Sequence, residues 1–271
     1  MSTIISLLGR KGGITKTTLA ASLAAACARA GMRTVLVDAD GQGNATQMVG
    51  AKRAPGMSMV MLRDAEWADA LIPVGVEFTG YTEHSAPLWV LPSDDSQREL
   101  EQHPQAAARI SERLNELHSW TDVVIVDTSP GISEVHAGVY FSADWALLPT
   151  TMEWAAISSL ANTLTYLGAA QRSTGGQSAG LLGIIPNMFS AGEKVQRENY
   201  GYLRGKYEPV CRVFEPMRRL TVWAQASQLK QSIWAYAPDD DYNARRQARA
   251  AALELQPVVD VVLRVASGAA V

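Results

Sequence analysis

The sequence predicts an α/β protein: a doubly wound, mostly parallel sheet flanked by helices. Three observations point there. Short apolar runs alternate with helix-length segments along the chain. The runs are apolar almost without interruption, as strands covered on both faces must be. A glycine-bearing loop stands between the first such run and the first helical segment. With 271 residues and 47% hydrophobic content the chain can bury one large core. No stretch reads as a linker, so residues 1–271 are taken as a single domain.

The strands are "TIISLL" (residues 3–8), "TVLVDA" (34–39), "LWVLP" (88–92), "DVVIVD" (122–127), "WALLPT" (145–150) and "LLGIIPN" (181–187). Helical spacing and length occur at residues 16–30, 96–118, 132–141, 153–171 and 193–206. Residues 51–87 are less regular, contain Pro55, Gly56, Pro73 and Gly80, and read as an insertion with one short helix at 57–62. After residues 210–214 the pattern weakens. It returns in "PDDDYNARRQARAAALEL", which opens on acidic residues and carries arginines along one side, as a capped helix should. Pro257 is expected to kink or restart that helix.

Composition narrows the function. A net charge of −3 announces no global affinity for nucleic acid, although binding depends on where charges sit. Cys27 and Cys211 stand far apart, and the four histidines form no ligand pattern, so a metal site built from protein ligands alone is not expected. The N-terminal apolar run is strand-length and unlike a signal peptide. No run approaches the roughly 18 to 20 apolar residues of a spanning helix. The expectation is a cytoplasmic protein with no membrane role.

Residues 11–18, "KGGITKTT", follow a strand and begin a helix. Gly12 and Gly13 let the backbone wrap close to anionic oxygens, and the helix's first turn adds unpaired N–H donors. Lys16 would reach the β- and γ-phosphates of a nucleotide, and the Thr17 hydroxyl would ligate Mg²⁺. The usual G-x-x-x-x-G-K-[ST] pattern is not met, because Arg10 and Thr15 stand where glycines are expected. Two further segments support the loop. "VVIVDTSPG" ends a strand in Asp127, placed as a Walker B carboxylate acting on a Mg²⁺-bound water, although alone it also suits a turn-capping aspartate. "VLVDADGQGNAT" ends another strand with Asp38 and Asp40 before two glycines that permit a mobile loop. Strand C-terminal edges are where open α/β sheets bind ligands. Asp40 projects beyond the strand, whereas Asp38 suits structural or metal-shell support. The three segments together predict nucleotide binding.

These residues resemble the deviant-Walker ATPases that include the ParA partition proteins and MinD. The family pattern is K-G-G-x-G-K-[ST]-T, and "KGGITKTT" departs from it only at Thr15. The family often lacks the first Walker glycine, so Arg10 is no departure. Lys11 matches the lysine that, in the family, crosses an ATP-sandwiched dimer to the partner's nucleotide. The resemblance implies ATP and Mg²⁺ as cofactors, with Lys11, Gly12, Gly13, Ile14, Thr15, Lys16, Thr17 and Thr18 around the phosphates. A β-branched Thr15 is costly if its site needs a positive φ.

The run D-x-D-x-Q-x-N-A-T looks like the ParA branch in particular. It implies that Asp40 orients the attacking water and joins Thr17 and Asp127 around the metal, with Gln42 and Asn44 in a first switch. "DTSPG" corresponds to Walker B and a second switch. Glu153 is implied as a nucleotide contact across the dimer, and Asn187, Pro216 and Met217 as adenine-side elements, although spacing drifts after Pro216.

Residues 191–250 hold eleven Lys and Arg against seven Asp and Glu, a local excess of four positive charges on an acidic chain. Lys194, Arg197, Arg218, Arg219, Lys230, Arg245, Arg246 and Arg249 are candidates for a surface that binds double-stranded DNA nonspecifically. The resemblance then implies a nucleoid-associated partition ATPase. ATP would drive homodimerisation and DNA binding, and hydrolysis stimulated by a ParB-like centromere-binding protein would release it. No helix-turn-helix extension precedes the loop, so the chain resembles the shorter, chromosomal-type members.

A ParA-like ATPase positioning another cargo differs only in partner. A MinD-like membrane role would need a basic amphipathic C-terminal helix, and the tail after Pro257 has one arginine, Arg264, and no aromatic anchor. An iron–sulfur reductase of the same superfamily would need paired cysteines, and the D-x-D-x-Q-x-N run argues against it and against an ATP-dependent ligase.

Overall fold

The computed structural model describes residues 2–9, 14–53, 56–80, 82–131, 133–176, 178–238 and 241–269, apart from the side chains of Ile14, Thr15 and Ser173. The first half runs β1 (Thr3–Leu7), α1 (Ile14–Arg29), β2 (Thr34–Ala39), α2 (Asn44–Met48), α3 (Met57–Arg63), α4 (Trp67–Ala70), β3 (Ile72–Pro73), α5 (Val76–Thr79) and β4 (Leu88–Leu91). Then come α6 (Gln97–Gln102), α7 (Ala106–Glu116), β5 (Val123–Thr128), α8 (Glu134–Ser142) and β6 (Trp145–Thr151). The chain closes with α9 (Trp154–Ser173), β7 (Gly180–Asn187), α10 (Lys194–Tyr207), α11 (Val222–Gln228) and α12 (Tyr242–Ala266).

The seven strands form one sheet in the order β3-β4-β2-β5-β1-β6-β7. All neighbours are parallel except β3, which runs antiparallel to β4 at the edge. The strand pleat sorts side chains to two cores. Ile5, Leu7, Leu36 and Ile125 pack with α1, α2, α5, α11 and α12. Ile4, Val35, Val37 and Val126 pack with the helices on the other face, from α3 to α10. α1 is apolar nearly all round and rich in alanine, so it sits buried between the sheet and α12. Its small side chains permit that approach.

The six strands expected from the sequence are all present. Five expectations are corrected. Residues 96–118 are not one helix. His103, just before Pro104, is forced to an extended ψ of 125°, which ends α6 before α7 begins. Pro257 does not restart α12, which runs unbroken through it. Pro257 and Leu253, whose carbonyl loses its partner, are both exposed, so water can serve that carbonyl. Ala251, Leu255, Val258, Val259 and Val262 meanwhile hold one continuous buried stripe. The loop after Asp40 contains the short helix α2. Residues 51–87 hold α4, β3 and α5 besides α3, and α11 follows the stretch where the pattern faded.

Candidate functional site

The site begins with strand alternation. Val123 and Ile125 face α1, so the pleat turns Asp127 toward α1 as well. Counting from Leu36 along β2 turns Asp38 the same way. Leu7, Asp127 and Asp38 are in register across β1, β5 and β2 at the sheet's C-terminal edge. α1 starts at that edge and carries Lys16 in. Its ammonium donates to the Gly9 carbonyl at 2.6 Å.

Three charged groups are thus taken out of water together. Asp38 is well supplied: it accepts the Thr46 N–H at 2.7 Å, the Thr46 hydroxyl at 2.6 Å and the Asp40 N–H at 3.3 Å. Thr46 in turn accepts the Ser93 N–H at 3.0 Å, so Asp38 ties α2 to the end of β4. Burial still pushes the Asp38 carboxyl up to about 6, against those hydrogen bonds. Asp127 is fully buried, and neither of its oxygens has a hydrogen-bond partner among the described residues. Burial, then the charge of Asp38, pushes its carboxyl up to about 8. The Thr17 hydroxyl, close to it but outside strict hydrogen-bond geometry, and then the charge of Lys16 pull the other way. Burial lowers the Lys16 pKa, opposed by Asp127 and Asp40.

A buried carboxylate without partners is costly unless a cation meets it. Two unpartnered hard oxygens beside the Thr17 hydroxyl fit Mg²⁺, which takes one or two carboxylates and fills its shell with water and phosphate oxygens. Among the described residues no group of three or more His, Cys, Asp or Glu is placed to hold a metal by itself.

Asp40 caps a tight turn into α2. Its carboxylate accepts the Gln42 N–H at 2.9 Å, and its carbonyl accepts the Gly43 N–H at 2.9 Å. Gly43 is left-handed at φ 68°, and a Cβ there would stand 2.8 Å from the Arg53 Nε. Arg53 fills that space and donates to the carbonyls of Gly41 at 2.9 Å and Asp94 at 3.2 Å. The turn after Asp40 is thereby stapled to the loop after β4. The start of the loop after β5 is held by His136, whose ring contacts the Ser129 carbonyl at 2.6 Å and the Ser133 hydroxyl at 2.8 Å. Sequence reasoning singled out neither residue. The Ser133-x-x-His136 spacing, an N-cap followed three residues later by a polar side chain, was the available signal for His136.

A cavity of about 490 Å³ is lined by Lys16, Thr17, Thr18, Asp40 and Asn44, with Pro130, Gln228 and Lys230 also on its walls. Lys11, Gly12 and Gly13 lie outside the described residues. Ile14 and Thr15 open α1, so the Thr15 backbone is helical and a positive-φ cost does not arise there. Glu153 stands exposed just before α9. Asn187 ends β7 and accepts the Met188 N–H at 2.7 Å. Pro216 is half-buried. Met217 is buried, and its N–H donates to the Pro186 carbonyl at 2.9 Å. These three therefore meet along β7, and none of them lines the Lys16 cavity.

The basic residues are dispersed. Lys194 pairs with Glu198 at 3.6 Å, Arg197 donates to the Ala191 carbonyl at 2.6 Å, and Arg218 pairs with Glu254. Arg219 is exposed. Arg245, Arg246 and Arg249 line a groove of about 670 Å³ on α12 with Trp234, Tyr236 and Tyr242. Lys230 does not lie with them but at the Lys16 cavity.

Comparison with known proteins agrees with this geometry. Residues 2–177 match an AAA domain family. Over 219 residues the chain is 27% identical to the chromosome partitioning protein ParA of Myxococcus xanthus, covering 78% of this chain and 73% of that protein. Over 193 residues it is 26% identical to the maintenance of carboxysome distribution protein A of Gloeothece citriformis, covering 69% and 70%. Among solved structures, an ATP complex of Cyanothece McdA superposes with a TM-score of 0.77 at 20% identity over 100% of this chain and 98% of that one. Cobyrinic acid a,c-diamide synthase of Mycobacterium smegmatis with ADP and magnesium gives 0.74 at 22% identity over 97% and 95%.

Proposed function

We propose that this chain, which belongs to the ParA, Soj and MinD family of deviant Walker ATPases, couples ATP binding to the nonspecific holding of double-stranded DNA. In this reading ATP bridges a homodimer on the nucleoid, and hydrolysis prompted by a centromere-binding partner releases it. The observation that carries the nucleotide part is the buried Asp127, without a hydrogen-bond partner among the described residues, near Lys16 and Asp40 at the sheet's C-terminal edge.

The residues divide the work. Lys16 and the first turn of α1 offset phosphate charge. Thr17 and Asp127 would hold Mg²⁺, whose charge would help neutralise that of the phosphates. Asp40, fixed by the turn to Gln42 and Gly43, orients the attacking water. Asp38 keeps α2 against β4, and Arg53 and His136 pin the two switches around it. Lys11 of a second copy would complete the charge at the phosphates. That dependence on assembly makes ATP the signal for the dimer. The exposed arginines of α12 supply a sequence-independent phosphate contact.

The cargo is a second matter. The carboxysome distribution protein among the relatives favours an alternative in which the same ATPase places a cargo other than a chromosome or plasmid on the nucleoid. No described helix is long and apolar enough to cross a membrane.

Binding to nonspecific duplex DNA with no nucleotide, with ADP–Mg²⁺ and with ATP–Mg²⁺, at two salt concentrations, tests the reading. Tight binding with ATP alone, weakened by salt, is expected. Binding indifferent to nucleotide, or none in any state, would contradict it.

A further inference from the structure

Lys230 follows the last turn of α11. Its N–H donates to the Ser227 carbonyl at 3.0 Å, and the Gln231 N–H donates to the Ala226 carbonyl at 2.9 Å. This bond pair closes a helix at a left-handed residue, a position that glycine ordinarily takes. Lys230 is left-handed, with φ 55°, in a region that penalises a Cβ. A lysine there keeps a side chain at a conformational cost. That side chain crosses the end of α2, since a Cβ on Gly50 would come within 3.4 Å of the Lys230 Cδ.

Lys230 forms a ridge between two cavities. One is the cavity of Lys16, Thr17, Asp40 and Asn44. The other, about 410 Å³, includes Glu77. Among the described residues no hydrogen bond or ion pair engages its ammonium, whereas Lys194, Arg204 and Arg218 are each paired with a glutamate.

We propose that Lys230 is a second cation of the nucleotide site and contacts the terminal phosphate of ATP. The inference rests on reading the Lys16 cavity as that site. Asp40 and Asn44, the first-switch residues on the same wall, mark the terminal-phosphate side in that reading. A polyphosphate carries more charge than Lys16 alone offsets, and Lys230 is an unpaired cation facing the space it would fill. Because its stem lies across the end of α2, a terminal phosphate held by Lys230 draws α11 and the first switch together. Lys230 therefore favours ATP over ADP and is not part of the DNA-facing surface.

The test measures ATP–Mg²⁺ and ADP–Mg²⁺ affinity by calorimetry for wild type, Lys230→Gly, Lys230→Gln and Lys16→Ala, with melting temperatures and duplex-DNA binding at saturating ATP. Glycine suits the left-handed backbone, so Lys230→Gly should melt no lower than wild type. Both Lys230 variants should lose about tenfold in ATP affinity, the scale of one charge-assisted hydrogen bond, and less than about twofold in ADP affinity. Unchanged ATP affinity, or equal loss for both nucleotides, would overturn the inference. So would DNA binding lost while ATP affinity is intact, which returns Lys230 to the DNA surface. Should Lys16→Ala also bind ATP normally, the nucleotide reading itself falls.

Discussion

At the C-terminal edge of the sheet, Lys16, Asp38 and Asp127 are buried close together, and Asp127 has no hydrogen-bond partner among the described residues. Along α10 and α12 more charges stand in water, and several are already paired, Lys194 with Glu198 and Arg218 with Glu254 among them. The first arrangement is expensive, and such clusters concentrate at functional sites. The second costs little, and each of its pairs contributes little. The buried cluster therefore identifies chemistry residue by residue. The surface identifies at most a direction of attraction.

That contrast predicts the size of what mutation will do. The largest effect belongs to the buried cluster: Lys16→Ala should cut ATP affinity by about a hundredfold or more, as loss of a strong charged contact does, measured by calorimetry. A loss of only a few-fold would place Lys16 among the solvated charges. Asp40→Ala should keep ATP binding and dimerisation while turnover falls by about a hundredfold, the lower range for loss of a proton-handling group. Wild-type phosphate release would remove Asp40 from that role.

Arg245→Glu with Arg246→Glu should leave ATP-dependent dimers intact. It should also flatten the salt dependence of DNA binding by about two units of log–log slope, since each phosphate contact contributes about 0.9. An unchanged slope would move the DNA surface away from α12.

The same buried cluster also sets the pH dependence of stability. Asp38 and Asp127 titrate near 6 and near 8 when folded, against an ordinary 3.8. Between these limits the folded chain binds more protons than the unfolded one. Stability from the two groups is thus fully present below about pH 4 and lost as pH rises through 6 and then 8. Denaturation without nucleotide should show this decline between pH 4 and 8, and an upward trend over that range traceable to Asp127 would contradict it. Binding of Mg²⁺ with ATP near pH 7 should also release protons, read as heats that depend on the buffer.

The sequence carried the six buried strands and the loop–helix junction because parallel strands covered on both faces must be continuously apolar. Position parity sets Asp38 and Asp127 on one side of the sheet once the structure shows which face Leu36 and Ile125 take. Pro104 is equally visible, and the residue before it marks where α6 ends. Pro257 misled because a proline's effect depends on which face of the helix it occupies, and that face is set by the packing of α12. Arg53 is not legible in the sequence, and His136 only as the third residue after the N-cap Ser133. The carbonyls they engage, those of Gly41, Asp94 and Ser129, are backbone atoms, and no side-chain pattern records where a carbonyl will point. Lys230 was counted with the surface cations, yet the left-handed turn after α11 places it at the Lys16 cavity instead.

The most direct test of the buried cluster is thermal melting of wild type and Asp127→Asn at pH 9, each alone, with ATP, and with ATP–Mg²⁺. Without ligand the asparagine variant should melt higher, because it buries no ionised carboxylate. Adding Mg²⁺ to ATP should raise the wild-type melting temperature and leave the variant's nearly unmoved. Equal Mg²⁺-dependent gains in both proteins would show that Asp127 is a buried structural acid and that the metal is held elsewhere.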